Sequence, residues 1–214
     1  MEFDTRAVIK SSVKGFLASF PGLASWVQVW DEHESEEMKR RIDRFWEAFK
    51  FEVERNDSRF KELRDKISTI MDSLDVLESA VHVARHETSD KKVQALVHIT
   101  VNAILSELPR DHKLNLIESI ESLNEGDLNI LSLFDNGRTW KVENLPGAMD
   151  RSKMGDLIAS ISKLESRGLI GQTSSKSSVT SDSWWGDAND WYNQWKRRYY
   201  EALPFGNILL RLAK

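Results

Sequence analysis

Met38, Ile42, Phe45, Phe49 and Val53 recur three or four residues apart. That spacing lays one apolar stripe along a helix. Ser35, followed by Glu36 and Glu37, marks the start: a hydroxyl to cap the first free N–H groups, then two acids at the positive end of the helix dipole. A stricter pattern follows. Leu63, Ile67, Ile70, Leu74, Leu77 and Val81 alternate steps of four and three, the heptad seam of a helix that needs a partner. Asp57 or Ser58 is its expected cap. The partner is either another helix of the same chain, giving a bundle, or a second copy, giving self-association through 63–81. Ser89 or Asp90 then caps a helix through "VQALVHITVNAILSEL" that stops before Pro109. At the other end a first helix is expected over about 4–19, broken at "FPGL" and followed by a short apolar helix to about Trp30. Residues 1–108 therefore read as a helical bundle.

The pattern changes after Pro109. "RDHKLNLIESIESLNEGDLNILSLF" reads as two short helices around Asn124–Gly126, and "DNGRTWKVENLPGAMD" as loop. "RSKMGDLIASISKLESRGLIGQ" is a helix ended by Gly168, where a left-handed cap fits, and then a strand start. "RRYYEALPFGNILLRLAK" gives a short strand, a turn at Pro204–Gly206 and a terminal helix.

Composition narrows the class. The 214 residues suit one large domain or two small ones; 40% are apolar and 30% charged, enough for a core and against general disorder. A net charge of −4 argues against a nonspecific polyanion binder. The chain has no cysteine, which excludes disulfides and thiolate metal sites and makes a reducing, cytoplasmic setting the expectation. Asp4, Arg6, Lys10 and Lys14 break up the early apolar residues, so no signal peptide is expected. The uncharged stretch Gly15–Trp30 contains Pro21 and is too short for a membrane span. Burial against the protein is preferred there over contact with a membrane surface.

Three pieces stand in a fixed order: the helix "GDLNILSLF", the helix and strand "LIASISKLESRGLIGQ", and the strand and helix "YYEALPFGNILLRL". Together they resemble the winged-helix domain, the helix-turn-helix variant whose reading helix is followed by a β-hairpin wing. The resemblance covers about 115–214 and implies a winged-helix domain over 109–214 with a Trp-rich wing insertion at 173–198. The fold class expected for the whole chain is mainly α, an N-terminal helical bundle plus a C-terminal winged helix-turn-helix with a small β-hairpin wing. On the reading helix Leu157, Ile158, Ile161 and Leu164 would face inward, and Ser160, Ser162, Lys163, Ser166 and Arg167 outward. Duplex DNA would then meet Lys153, Ser160, Lys163 and Arg167, with Lys196, Arg197 and Arg198 reaching phosphates from the wing. Some features depart from a strong DNA reader. Asp156 and Glu165 share the helix, and residues 109–214 hold 14 Lys/Arg against 14 Asp/Glu. Pro146 and Gly147 interrupt the segment where the preceding helix should lie. A winged helix used on protein is the competing reading.

The first half, through "FPGLASW", "EEMKRRIDRFWEAF" and "ESAVHVARHETSDKKVQALVHITVNAI", is similar to uncharacterised bacterial and phage-associated proteins with a helical region before a winged helix. Some of these sit in mobile-element or defence-related gene neighbourhoods. His82 and His86 stand four apart, but "HVARHE" lacks the metalloprotease order, and a helix surface is the better reading. No nucleophile elbow, phosphate loop or dinucleotide fingerprint occurs. Neither an enzyme nor a cofactor is expected. The expectation is a nucleic-acid-binding or regulatory protein. The alternatives are a protein-interaction adaptor or effector of a phage-defence or mobile-element system and, more weakly, a membrane-associated effector working through 7–30. Trp184, Trp185, Trp191 and Trp195 crowd the wing insertion. Packing on the helical bundle is the expected use of so much aromatic surface, ahead of a partner surface and of base stacking.

Overall fold

The computed structural model describes residues 15–18, 20, 35–55, 57–69, 71–146, 153–173 and 198–213. Among them the protein is mainly helical, with one small three-stranded antiparallel sheet. The chain divides into two compact units, Met1–Ser122 with Leu212–Lys214, and Leu123–Arg211.

The first unit contains α1 (Glu36–Glu54), α2 (Asp57–Thr69), α3 (Met71–His86), α4 (Asp90–Leu105) and α5 (Arg110–Ser122). The Ser35 hydroxyl accepts the Met38 N–H at 3.3 Å and opens α1. Ile42, Phe45, Phe49 and Val53 are buried, and Trp46 joins them. The rings of Phe45, Trp46 and Phe49 meet mostly edge to face, with centroids 5.2–6.0 Å apart. Residues 15–18 are helical, and Phe16 and Phe20 extend this cluster to Phe49 and Phe60. Each such ring taken from water contributes about 1.5–3 kcal/mol. Ser89 caps α4 by accepting from the Lys92 N–H at 3.2 Å. Leu96, Val97, Ile99, Val101, Ala103 and Ile104 are all buried. A helix with so wide an apolar face belongs in the middle of a bundle, and α4 packs against α1, α2, α3 and α5.

The heptad seam runs through α2 and α3, on either side of Ile70, which lies outside the described residues. Leu63, Ile67 and Leu77 are buried, so the unit itself covers much of the seam. The first unit reaches Ser122, beyond the expected boundary at 108, and α5 packs on α3 and α4.

The second unit holds α6 (Glu125–Ser132), β1 (Trp140–Lys141), α7 (Met154–Ser166), β2 (Ile170–Gln172), β3 (Tyr199–Ala202) and α8 (Pro204–Leu212), whose last residue is grouped with the first unit. Asn124 and Asp127 form a reciprocal capping box at the start of α6. α7 ends in the predicted left-handed glycine, Gly168 with φ +66°. The Gly168 N–H reaches Glu165 O at 2.9 Å and the Leu169 N–H reaches Leu164 O at 2.9 Å, the paired bonds of a Schellman cap. The chain passes from there into β2. Strand order is β1-β3-β2, with Trp140 opposite Tyr200 and Ile170 opposite Ala202.

β1 lies in the stretch read as loop. Two residues are too few to show alternation, and the strand exists through its pairing with β3. The expected turn at Pro204–Gly206 is instead the first turn of α8. Proline suits that position, since its missing N–H would have had no helical partner. Gly206 follows because a Cβ there would lie 1.9 Å from the Leu169 carbonyl oxygen.

Of the first helix expected over about 4–19 only 15–18 are described; its earlier part, the short apolar helix expected to about Trp30, and the wing insertion from 174 with Trp184, Trp185, Trp191 and Trp195 lie outside the described residues.

Candidate functional site

The best-defined polar centre of the second unit joins α6 to α7. Asp127, fully buried, accepts from the Asn124 N–H at 2.9 Å and from Lys163 Nζ at 2.7 Å. Burial alone would push its carboxyl up. The Asn124 N–H, Lys163 and Ser160 outweigh that and hold it below the usual carboxylate range. The lysine and the backbone N–H both meet Oδ2, whereas the buried Oδ1 has no hydrogen-bond partner, and the Lys163 pair pins one helix start to the next helix.

This centre changes the role of two residues expected to face DNA. Ser160 is buried, on the inner side of α7 beside Leu157, Ile161 and Leu164. It lies four residues before Leu164 and three after Leu157, which places it on the apolar stripe, and its small hydroxyl finds Asp127 there. Lys163 spends its ammonium on Asp127, with 37% of its side chain exposed. Ile158, expected inside, is only half-buried.

Lys153 and Arg167 stay exposed at the two ends of α7. Between them Asp156, Ala159, Ser162, Glu165 and Ser166 are exposed as well. The outer face thus carries two cations and two carboxylates. Arg198 is half-buried; its carbonyl accepts the Val142 N–H at 3.0 Å and its side chain lies by the Tyr200 phenol. Tyr200 is buried, and burial together with Glu165 pushes its phenol up. Lys196 and Arg197 lie outside the described residues.

A second concentration of polar and aromatic groups lies at the β1 edge of the sheet. Arg138, Thr139, Trp140, Lys141, Asn144 and Tyr199 line a hollow of about 490 Å3. Lys141 and Tyr199 are directly opposite across the strands, so they share one face of the sheet. Lys141 Nζ stands 6.0 Å from the Tyr199 ring centroid and 2.6 Å from Glu143 Oε1. Trp140 turns to the other face with Tyr200, and its indole N–H is fixed on Leu133 O at 2.6 Å. None of these residues was singled out from the sequence. The signal was present as "RTWK", cations interleaved with an aromatic ring, but its second aromatic, Tyr199, comes from across the sheet.

In the first unit the rings of exposed His82 and His86 lie 5.6 Å apart. No group of three metal-ligating side chains occurs among the described residues, and no described helix is long and apolar enough to cross a membrane. Comparison with protein-family models, with curated proteins and with solved structures finds no match to this chain.

Proposed function

We propose that the protein is a non-enzymatic nucleic-acid-binding or regulatory protein whose second unit is a winged helix. The observation that carries this reading is topological. Helix α7 turns at Gly168 straight into β2, β2 pairs antiparallel with β3, and β3 also pairs with β1. A helix followed by a hairpin whose returning strand lies between the other two is the arrangement a winged helix requires. In this reading the wing insertion expected at 173–198 joins β2 to β3. The exposed side of α7 presents Lys153, Ser162, Ser166 and Arg167 to a phosphate backbone and base edges.

A mobility-shift titration with duplex DNA tests the reading. Binding should weaken steeply as salt rises, and Arg167→Ala should lower both the affinity and the salt slope. No shift at low salt, with the fold intact by circular dichroism, sinks it.

One observation favours a second reading. The outer face of α7 balances Lys153 and Arg167 with Asp156 and Glu165, whereas a strong duplex binder shows a basic footprint. In that reading α7 contacts protein, and the chain acts as an adaptor or effector in a mobile-element or defence setting, as the resemblance of its first half implies. Self-association through 63–81 belongs to the same proposal. The exposed side chains of that segment include Arg64, Glu78 and Met71. Sedimentation over a range of concentrations tests it, and a concentration-independent monomer removes it.

A further inference from the structure

From the geometry we infer that the hollow at the β1 edge is a binding site for a nucleotide unit, a phosphate joined to a flat base. The site lies apart from the outer face of α7 and does not need α7 to read duplex DNA, so the two ideas can fail separately.

The lining carries the argument. Arg138 and Lys141 are cations, Thr139 and Asn144 add a hydroxyl and an amide, and no carboxylate is among the described lining residues. Glu143 sits beside the hollow and takes one donor of the Lys141 ammonium. An ammonium has three donors, so two remain for an incoming anion. Arg138 is exposed and brings a planar fork suited to two phosphate oxygens. Charge and hydrogen-bonding capacity therefore fit a phosphate.

An anion alone would not need the aromatic side of the site. Tyr199 is half-buried on the same sheet face as Lys141. Its ring lies 6.0 Å from the Lys141 ammonium, so an aromatic surface and a cation stand side by side in the lining. Base stacking on such a ring is tolerant of sequence. A pocket of about 490 Å3 lies within the range of small-ligand sites and has room for one nucleotide. The indole of Trp140, on the opposite face, is held by Leu133 O, which fixes the strand that carries Lys141.

The shared chemistry has two sources, a free nucleotide or an unpaired nucleotide of a strand. The test uses the full chain and three probes: a fluorescein-labelled oligothymidylate read by anisotropy, and AMP and inorganic phosphate as competitors. Tyr199→Leu keeps a bulky strand residue and removes the ring; it should weaken the oligonucleotide about tenfold. Arg138→Ala should weaken it and lower its salt slope by about 0.7, the loss of one phosphate contact on a single strand. Arg40→Ala, which removes an exposed cation of the first unit, should leave this binding unchanged. Thermal melting confirms that each variant is folded, and Thr139→Val serves as a milder replacement if Tyr199→Leu is not. Tighter binding of the oligonucleotide than of AMP assigns the site to a strand, and the reverse assigns it to a free nucleotide. Wild-type affinity in both hollow variants overturns the inference. So does inorganic phosphate competing as well as AMP, or a phosphotyrosine peptide displacing the probe more strongly than either nucleotide form.

Discussion

The second unit holds two lysine–carboxylate pairs of nearly equal length in opposite surroundings. Lys163 and Asp127 meet at 2.7 Å with the carboxylate fully buried, whereas Lys141 and Glu143 meet at 2.6 Å with both partners in contact with water. The first pair sits among Ser160, a capping box and the packed side of α7. The second sits on the rim of a hollow. Distance alone would rank them equal. Burial separates them: the buried carboxylate has no water to replace a lost partner, while the exposed pair exchanges its contacts with solvent at little cost. One pair builds structure, and the other lies where solvent reaches both partners.

The inner side of the unit should therefore respond far more strongly to substitution than its outer edge. The largest effect is expected at Gly206, where any Cβ would run into the Leu169 carbonyl. Backbone cannot rotate away as a side chain can, so Gly206→Ala should cost about 3 kcal/mol by chemical denaturation. Next comes Lys163→Ala, which strands a buried carboxylate and should cost about 2–3 kcal/mol. Replacing both partners, as Asp127→Asn with Lys163→Met, should cost less than Lys163→Ala alone. If it costs more, the pair is not what holds α6 to α7.

Acid sharpens the same contrast. Because the folded protein holds the Asp127 carboxyl below its ordinary range, the unfolded chain binds its proton first as pH falls. Asp127 thus contributes stability that is complete above the ordinary carboxylate range and is lost as pH drops through the folded value. Asp127→Asn should flatten that part of the acid limb of a pH–stability curve, and an unchanged limb would contradict the assignment. The smallest effect belongs to the edge. Lys141→Ala should change stability by less than about 1 kcal/mol and leave the melting temperature nearly unmoved, while weakening an oligonucleotide held in the hollow.

Much of the helical architecture was legible because helices announce themselves locally. Ser35 and Ser89 cap where predicted, and Gly168 takes the left-handed turn expected of it. The stripe of α1 is buried almost position for position, with Met38 only half-buried at its end. The misreadings share another cause. β1 has no pattern of its own, and Pro204–Gly206 looked like a turn because proline and glycine mark turns more often than the first turn of a helix. Ser160 and Lys163 looked like an outward face because both are polar, and nothing nearby in sequence reveals that Asp127, 36 residues away from Lys163, waits inside. The hollow was equally hidden, since Tyr199 reaches Lys141 only across paired strands.

By itself the sequence determined where helices start and stop and which of their faces are apolar, since capping and periodicity act over three or four residues. It also excluded disulfides and thiolate metal sites. Only the tertiary structure decided which polar side chains face inward, which carboxylate is buried, and which aromatic ring stands beside which cation. Those outcomes depend on contacts between segments far apart in the chain, and a buried charge is tolerated only where a distant partner is brought to meet it.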